Sequence, residues 1–143
     1  SDPLVRQELI GLIKAFAQDG GSVIVSSHVL HEIEQLTRRI ALIHRGRLVA
    51  EGDVRQIRDL IDRHPHTIEV KAERPRELAA ALALEPEVVE IRLENGTIWV
   101  RTPNPDAFYA KLPKIALGAN AGVKEIRSPD DNLEAVFRYL TEQ

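Results

Sequence analysis

The chain has 143 residues, of which 43% are hydrophobic and 29% charged, and this balance excludes an intrinsically disordered protein. A net charge of −3 and an aromatic content of 4% argue against a nucleic-acid-binding protein, which needs a basic surface and stacking rings. The absence of cysteine excludes disulfides, thiolate metal sites and cysteine nucleophiles. The sequence also has no methionine, so we expect it to be a piece of a longer chain.

The first part of the chain is predicted to alternate helices with a buried strand. Asp2-Pro3 is typical of a helix start, with aspartate at the N-cap and proline at the first helical position, and Gly20-Gly21 ends the apolar stripe of that helix. Residues 23–25 are β-branched without polar alternation, which is typical of a strand buried on both faces of a parallel sheet. A second helix is predicted over residues 29–37.

A hairpin and a domain boundary are predicted next. Apolar runs at residues 40–43 and 48–50 flank His44-Arg45-Gly46-Arg47, which indicates two antiparallel strands joined by a glycine turn. A helical stripe follows over residues 54–61. His64-Pro65-His66 then interrupts the pattern, and we predict that one domain ends at residue 64 and that both histidines are solvated in a linker.

Residues 66–127 carry the pattern β-α-β-β-α-β, the element order of a ferredoxin-like sandwich. The hairpin signal is Asn95-Gly96, whose residues both tolerate positive φ. A terminal helix over residues 133–140 completes a predicted domain of residues 65–143. Trp99 is either an exposed contact point or packed under that helix, and packing is favoured because amphipathic aromatic side chains usually find cover.

His28 is the first candidate for chemistry, because it directly follows the predicted buried strand. Ligands bind at that edge of open α/β sheets, and Ser26 and Ser27 add two hydroxyls beside it. A polar cap without a functional role is the alternative. His28 and His31 are three residues apart, but no third residue has the spacing of a zinc ligand, so we predict no metal site. Neither Gly-x-Ser-x-Gly nor the phosphate-binding Gly-x-x-x-x-Gly-Lys-Ser/Thr is present.

Taken together, residues 2–53 resemble the C-terminal third of the nucleotide-binding subunit of an ABC transporter. Asp2-Pro3 matches the end of the D-loop, and Ser26-Ser27-His28 matches the H-loop with its switch histidine. Residues 31–36, 39–43 and 46–52 follow the family pattern in order and spacing.

The resemblance implies an α/β fragment of a P-loop ATPase core in residues 1–64, followed by an accessory ferredoxin-like domain in residues 65–143. In the complete protein, His28 would contact the γ-phosphate of ATP, bound with Mg²⁺, and Asp2 would act across the interface with a second ATPase subunit. The partner would be a membrane permease, which places the subunit in the cytoplasm against the inner face of the cell membrane. The Walker A, Walker B and signature motifs would precede Ser1, so we expect neither ATP hydrolysis nor a bound cofactor for this chain alone.

Two other hypotheses stay open. The chain is alternatively a regulatory or dimerisation module whose ferredoxin-like domain senses a small ligand. An RNA-binding sandwich is a weaker option, because Trp99 lacks the paired aromatic residues of such sheets. In the ATPase interpretation, the strands that would cover residues 23–25 and the stripe of the first helix lie upstream of Ser1, so we expect residues 1–62 to self-associate instead of remaining loosely ordered.

Overall fold

The computed structural model describes residues 2–61 and 63–142, which divide into two compact units. The first unit comprises Ser1–Arg58 and Asn132–Gln143, and the second comprises Asp59–Asp131. In the described part of the chain, no helix is both long and apolar enough to cross a membrane.

The first unit contains four helices and a hairpin among its described residues. Before the second unit come α1 (Pro3–Gln18), α2 (Leu30–Leu36), β1 (Arg39–His44), β2 (Arg47–Asp53) and α3 (Val54–Asp59). The fourth helix, α6 (Leu133–Thr141), follows the second unit and is the last of the chain. The two strands pair antiparallel, as the flanked glycine turn predicts. Its small core consists of buried apolar side chains from four of these elements: Ile10, Leu42, Val54, Ile57, Leu133, Ala135 and Val136.

The second unit has the predicted β-α-β-β-α-β order. Its elements are β3 (His66–Ala72), α4 (Pro75–Leu82), β4 (Glu90–Glu94), β5 (Thr97–Thr102), α5 (Pro105–Gly118) and β6 (Val123–Arg127). The strands form one antiparallel sheet in the order β4-β5-β3-β6, which is compatible with a ferredoxin-like fold. Alternate residues of the central strands point to the helices and build the core, with Ile68, Val70, Ile98 and Val100 fully buried.

The turn between β4 and β5 has the backbone conformation that Asn95-Gly96 predicts. Asn95 and Gly96 have φ angles of 53° and 76°, the left-handed pair that a two-residue turn needs to match the twist of its strands. Arg45 and Gly46 adopt the same conformation, with φ angles of 50° and 73°, between β1 and β2. Both predicted hairpins are confirmed.

The predicted buried strand at residues 23–25 is not present. These residues are irregular, and the side chain of Ile24 is 100% exposed. A strand needs a neighbour for its backbone hydrogen bonds, and the described strands of the first unit, β1 and β2, pair with each other. The β-branched composition therefore does not suffice to form a strand in this chain.

The division of the structure differs from the predicted boundary at residues 64 and 65. The unit changes between Arg58 and Asp59, and helix α6 groups with the first unit instead of with residues 65–131. The physical reason is burial, because Leu133, Ala135 and Val136 of α6 are covered and Phe137 packs edge-on against His44, with ring centroids 5.7 Å apart.

Trp99 lies on the sheet face opposite to that of Ile98 and Val100 and is half-buried. The guanidinium of Arg92, its cross-strand neighbour, lies 5.4 Å from the ring centroid. This contact provides part of the cover that an amphipathic ring requires.

Candidate functional site

Asp2 begins helix α1 and is held by its own capping hydrogen bond. The backbone N–H of Leu4 donates to its Oδ1 at 2.9 Å, which satisfies one of the amides that a helix start leaves unpaired. Pro3 follows at the first helical position, as the sequence predicts. At the other end, Gly20 has a φ of 94° and terminates the helix. The carboxylate of Asp2 thus has a fixed place at one end of α1.

Two polar contacts set α2 beside the first half of α1. Arg6 Nη1 lies 2.9 Å from Glu32 Oε1, and Gln7 Nε2 donates to Gln35 Oε1 at 3.1 Å. Helix α1, with 16 residues, is about 24 Å long at 1.5 Å per residue. The irregular segment between α1 and α2 can span this length, because about eight extended residues cover roughly 24 Å. The chain therefore returns along α1 and brings α2 to the end that carries Asp2.

His28 lies in that returning segment, directly before α2. Its side chain is exposed, and the preceding Ser27 stabilises the bend because its Oγ accepts a hydrogen bond from the N–H of Val29 at 3.0 Å. Ser26 is exposed as well. The contacts of Arg6 with Glu32 and of Gln7 with Gln35 bring α2, which begins two residues after His28, to the first half of α1.

Helix α2 is also attached to the last helix of the chain. Glu34 Oε1 accepts a hydrogen bond from the N–H of Leu133 at 2.6 Å, so a side chain of α2 caps the first turn of α6. Asn132 contributes the other cap, since its Oδ1 accepts from the N–H of Ala135 at 2.8 Å. The support of the His28 segment therefore includes residues from both ends of the chain.

The chemistry open to this site follows from the groups it presents. A neutral imidazole has one N–H donor and one acceptor nitrogen, so the exposed ring of His28 suits hydrogen bonding to a phosphate oxygen. Asp2 uses Oδ1 in its cap and suits a contact through its second oxygen. Within the described ranges, no group of three or more His, Cys, Asp or Glu side chains is arranged to hold a metal ion.

An apolar surface runs along α1 next to this site. Five large side chains of the helix are each more than half exposed: Leu4, Val5, Leu9, Leu12 and Phe16. Val23, Ile24 and Val25 of the returning segment extend the exposed apolar surface. A patch of this kind is typical of a surface that another protein segment covers.

The prediction for His66 is wrong, because this side chain is not solvated. It is 6% exposed, and each ring nitrogen faces a carboxylate: Nδ1 lies 2.8 Å from Asp131 Oδ1, and Nε2 lies 3.4 Å from Asp59 Oδ1. The sequence around His64-Pro65-His66 gives no sign of this arrangement, since Asp131 is 65 positions away.

One charged cluster of the second unit carries shifted pKa values. A hydrogen bond from the Lys111 ammonium, 3.0 Å away, holds the pKa of Glu87 below its ordinary value. The reciprocal bonds to Glu87 and to Glu85 raise the pKa of Lys111. This cluster joins α5 to the loop before β4 and therefore stabilises the second unit.

The comparisons with known proteins bear on the site in the first unit. No family profile matches the chain. Curated relatives named Nod factor export ATP-binding protein I match 98% of it: the protein of Mesorhizobium japonicum is 29% identical over 142 residues, that of Burkholderia pseudomallei 29% over 140, and that of Rhizobium meliloti 27% over 142.

The match covers only part of those relatives. The chain spans 38% of the Mesorhizobium protein, 43% of the Burkholderia protein and 39% of the Rhizobium protein. The matching portion is their C-terminal part, which confirms the resemblance predicted from residues 2–53 and extends it to the second unit. Over almost its whole length, this chain is similar to the C-terminal part of ABC transporter ATP-binding proteins.

Proposed function

We propose that this chain forms the C-terminal part of an ATP-binding subunit that couples ATP hydrolysis to export through a membrane permease. The observation that carries the proposal is the match over 98% of the chain to proteins named for export and ATP binding. The exposed His28, two residues before the helix that contacts the first half of α1, supports it further. In this proposal residues 1–64 are the end of the ATPase core, and residues 65–143 are the accessory domain that follows in sequence, whose last helix, α6, groups with the first unit.

His28 provides the hydrogen-bond donor in this function. When ATP and Mg²⁺ are bound, they supply the phosphoryl group and neutralise part of its charge. With the nucleotide bound, the His28 N–H would donate to a γ-phosphate oxygen and would stabilise the negative charge that develops there during phosphoryl transfer. Because the ring is exposed on a segment held by Ser27 and α2, it reaches a phosphate group brought by another part of the protein.

Asp2 acts across the interface between two ATP-binding subunits. The capping bond from Leu4 orients its carboxylate at the start of α1, so that the second carboxylate oxygen is available to a facing subunit. The exposed apolar side chains of α1 support a location next to further protein, since about 25 cal/mol is gained for each Å² of apolar surface that is buried. A subunit of this kind works in the cytoplasm, against the inner face of the membrane that holds its permease.

The test is ATP turnover by the complete gene product with single substitutions. We expect His28→Ala to lower kcat by about 10²–10³, the usual cost of losing one preorganised donor to transition-state charge, and to leave nucleotide binding nearly unchanged. His31→Ala is the matched control, because His31 is also exposed and lies three residues further along the chain, in α2. Its kcat should equal that of the unmodified protein.

Asp2→Asn separates the charge of Asp2 from its capping role. Asparagine caps helices as well as aspartate does, so the stability of α1 should not change while turnover falls. If His28→Ala and His31→Ala have the same kcat, then His28 has a structural role and the assignment of the site is wrong. Full activity of His28→Ala and of Asp2→Asn, together with binding of a small ligand by the second unit, would favour the regulatory module instead.

A further inference from the structure

The second unit is an insertion within the first. The chain leaves the first unit after Arg58, at the end of α3, and returns to it at Asn132, directly before α6. The first and last residues of the inserted unit are therefore Asp59 and Asp131. Both neighbouring helices contribute to the core of the first unit, through Val54 and Ile57 of α3 and through Leu133 and Val136 of α6.

His66 contacts both ends of the insertion. Its ring is buried between the carboxylates of Asp131, at 2.8 Å, and of Asp59, at 3.4 Å. The two nitrogens point in different directions from the ring, so this trio does not converge on one metal ion. The next residue strengthens one side, because the N–H of Thr67 donates to both oxygens of the buried Asp130, at 3.0 and 3.1 Å.

Histidine is well suited to this position. Both neighbouring groups are carboxylates, and the two ring nitrogens of an imidazole lie on different sides of the ring, so one ring can face both carboxylates at once. A glutamine has its polar atoms at one end of the side chain and reaches one carboxylate at a time. The ring of His66, at the first residue of β3, thus contacts both ends of the inserted unit.

We propose that His66, Asp59 and Asp131 form a clasp that couples the two ends of the inserted unit. A displacement of Asp59 at the end of α3 changes the position of Asp131 through the ring of His66. Asp131 precedes Asn132, which caps α6, so the displacement reaches the start of that helix. The clasp is a conformational device that makes the two connections move together, and it does not depend on the proposed function.

The test is amide hydrogen exchange, followed by mass spectrometry, on the full 143-residue chain. Asp59→Asn should speed exchange about threefold in peptides spanning residues 128–135, and Asp131→Asn should do the same in residues 54–61, as expected for weakening one modest hydrogen-bonding contact. In a His66→Gln background, neither substitution should change exchange at the other end. The matched control is Asp106→Asn, which alters an exposed aspartate of the same unit.

The outcomes separate coupling from local support. Cross-end effects that require His66 support the clasp. The clasp is overturned if each substitution changes exchange only at its own end. It is also overturned if the effects at the opposite end are equally large with His66 and in the His66→Gln background. If His66→Gln unfolds the second unit, which Trp99 fluorescence reports, the two aspartate variants decide alone: the clasp then requires that each speeds exchange at the opposite end.

Discussion

Replacing Leu133 by alanine tests whether helix α6 stabilises the first unit or the second. Leu133 is 1% exposed and lies in the first unit, although it follows the second unit in sequence. We predict that Leu133→Ala destabilises the first unit and leaves the second unchanged. Leu82→Ala, at a leucine of α4 with 0% exposure, should have the opposite effect and serves as the matched variant.

The magnitude follows from the buried side chain. Leucine loses the equivalent of three methylene groups, which accounts for about 2.4 kcal/mol at about 0.8 kcal/mol each, and the remaining cavity adds to this loss. A total of about 3 kcal/mol speeds exchange through opening of the unit by about a hundredfold, since 1.4 kcal/mol corresponds to a factor of ten. Leu84→Ala, at an 85% exposed leucine, should change the stability by less than about 0.5 kcal/mol.

Two measurements on the same sample distinguish the units. Amide exchange of α1, α2 and α3 reports the first unit. Fluorescence of the single tryptophan, Trp99, reports urea unfolding of the second. A shift of the Trp99 transition by Leu133→Ala, with unchanged exchange in α1 to α3, would refute the assignment of α6 to the first unit.

The remaining predictions concern ATP hydrolysis, the contact between Glu87 and Lys111, and self-association. This chain alone should release no phosphate from millimolar ATP above the no-protein blank in a malachite-green assay; turnover would show that our view of the missing motifs is wrong. The hydrogen bond from Lys111 lowers the pKa of Glu87, so the stabilisation that it provides should be present above the ordinary carboxyl pKa and lost as the pH falls through the lowered pKa. Glu87→Gln should therefore reduce the acid dependence of Trp99-monitored unfolding, and an unchanged acid dependence would exclude this source. The exposed apolar side chains of α1 should drive self-association; sedimentation equilibrium should give a mass above 16.0 kDa at high concentration, whereas a strict monomer with protected α1 amides would count against it.

The elements that the sequence predicts well are those with local signals. Asn95-Gly96 and Arg45-Gly46 determine their own turns through positive φ, and the alternation of β3 and β5 marks the buried face of each strand. The capped starts of α1 and α5 are equally local, since Asp2 and Asn104 bond amides two and three residues on. No distant contact is needed for any of these features.

The features that sequence misses depend on distant partners. Residues 23–25 have strand composition, but a strand also needs a neighbour to bond with, and none of the described strands pairs with them. The apolar stripe of α6 is visible in sequence, yet its capping partner Glu34 lies 99 positions away. His66 is buried by Asp131, which is equally invisible locally, so a His-Pro-His segment with the composition of a linker is part of a folded unit.

The proposed ATP-binding function is tested most directly by a structure of the complete gene product with a non-hydrolysable ATP analogue. We predict that one ring nitrogen of His28 lies about 2.7–3.2 Å from a γ-phosphate oxygen, within hydrogen-bond distance. A nucleotide bound with its γ-phosphate more than about 6 Å from the His28 ring, twice the length of a hydrogen bond, would contradict the proposed role of this residue.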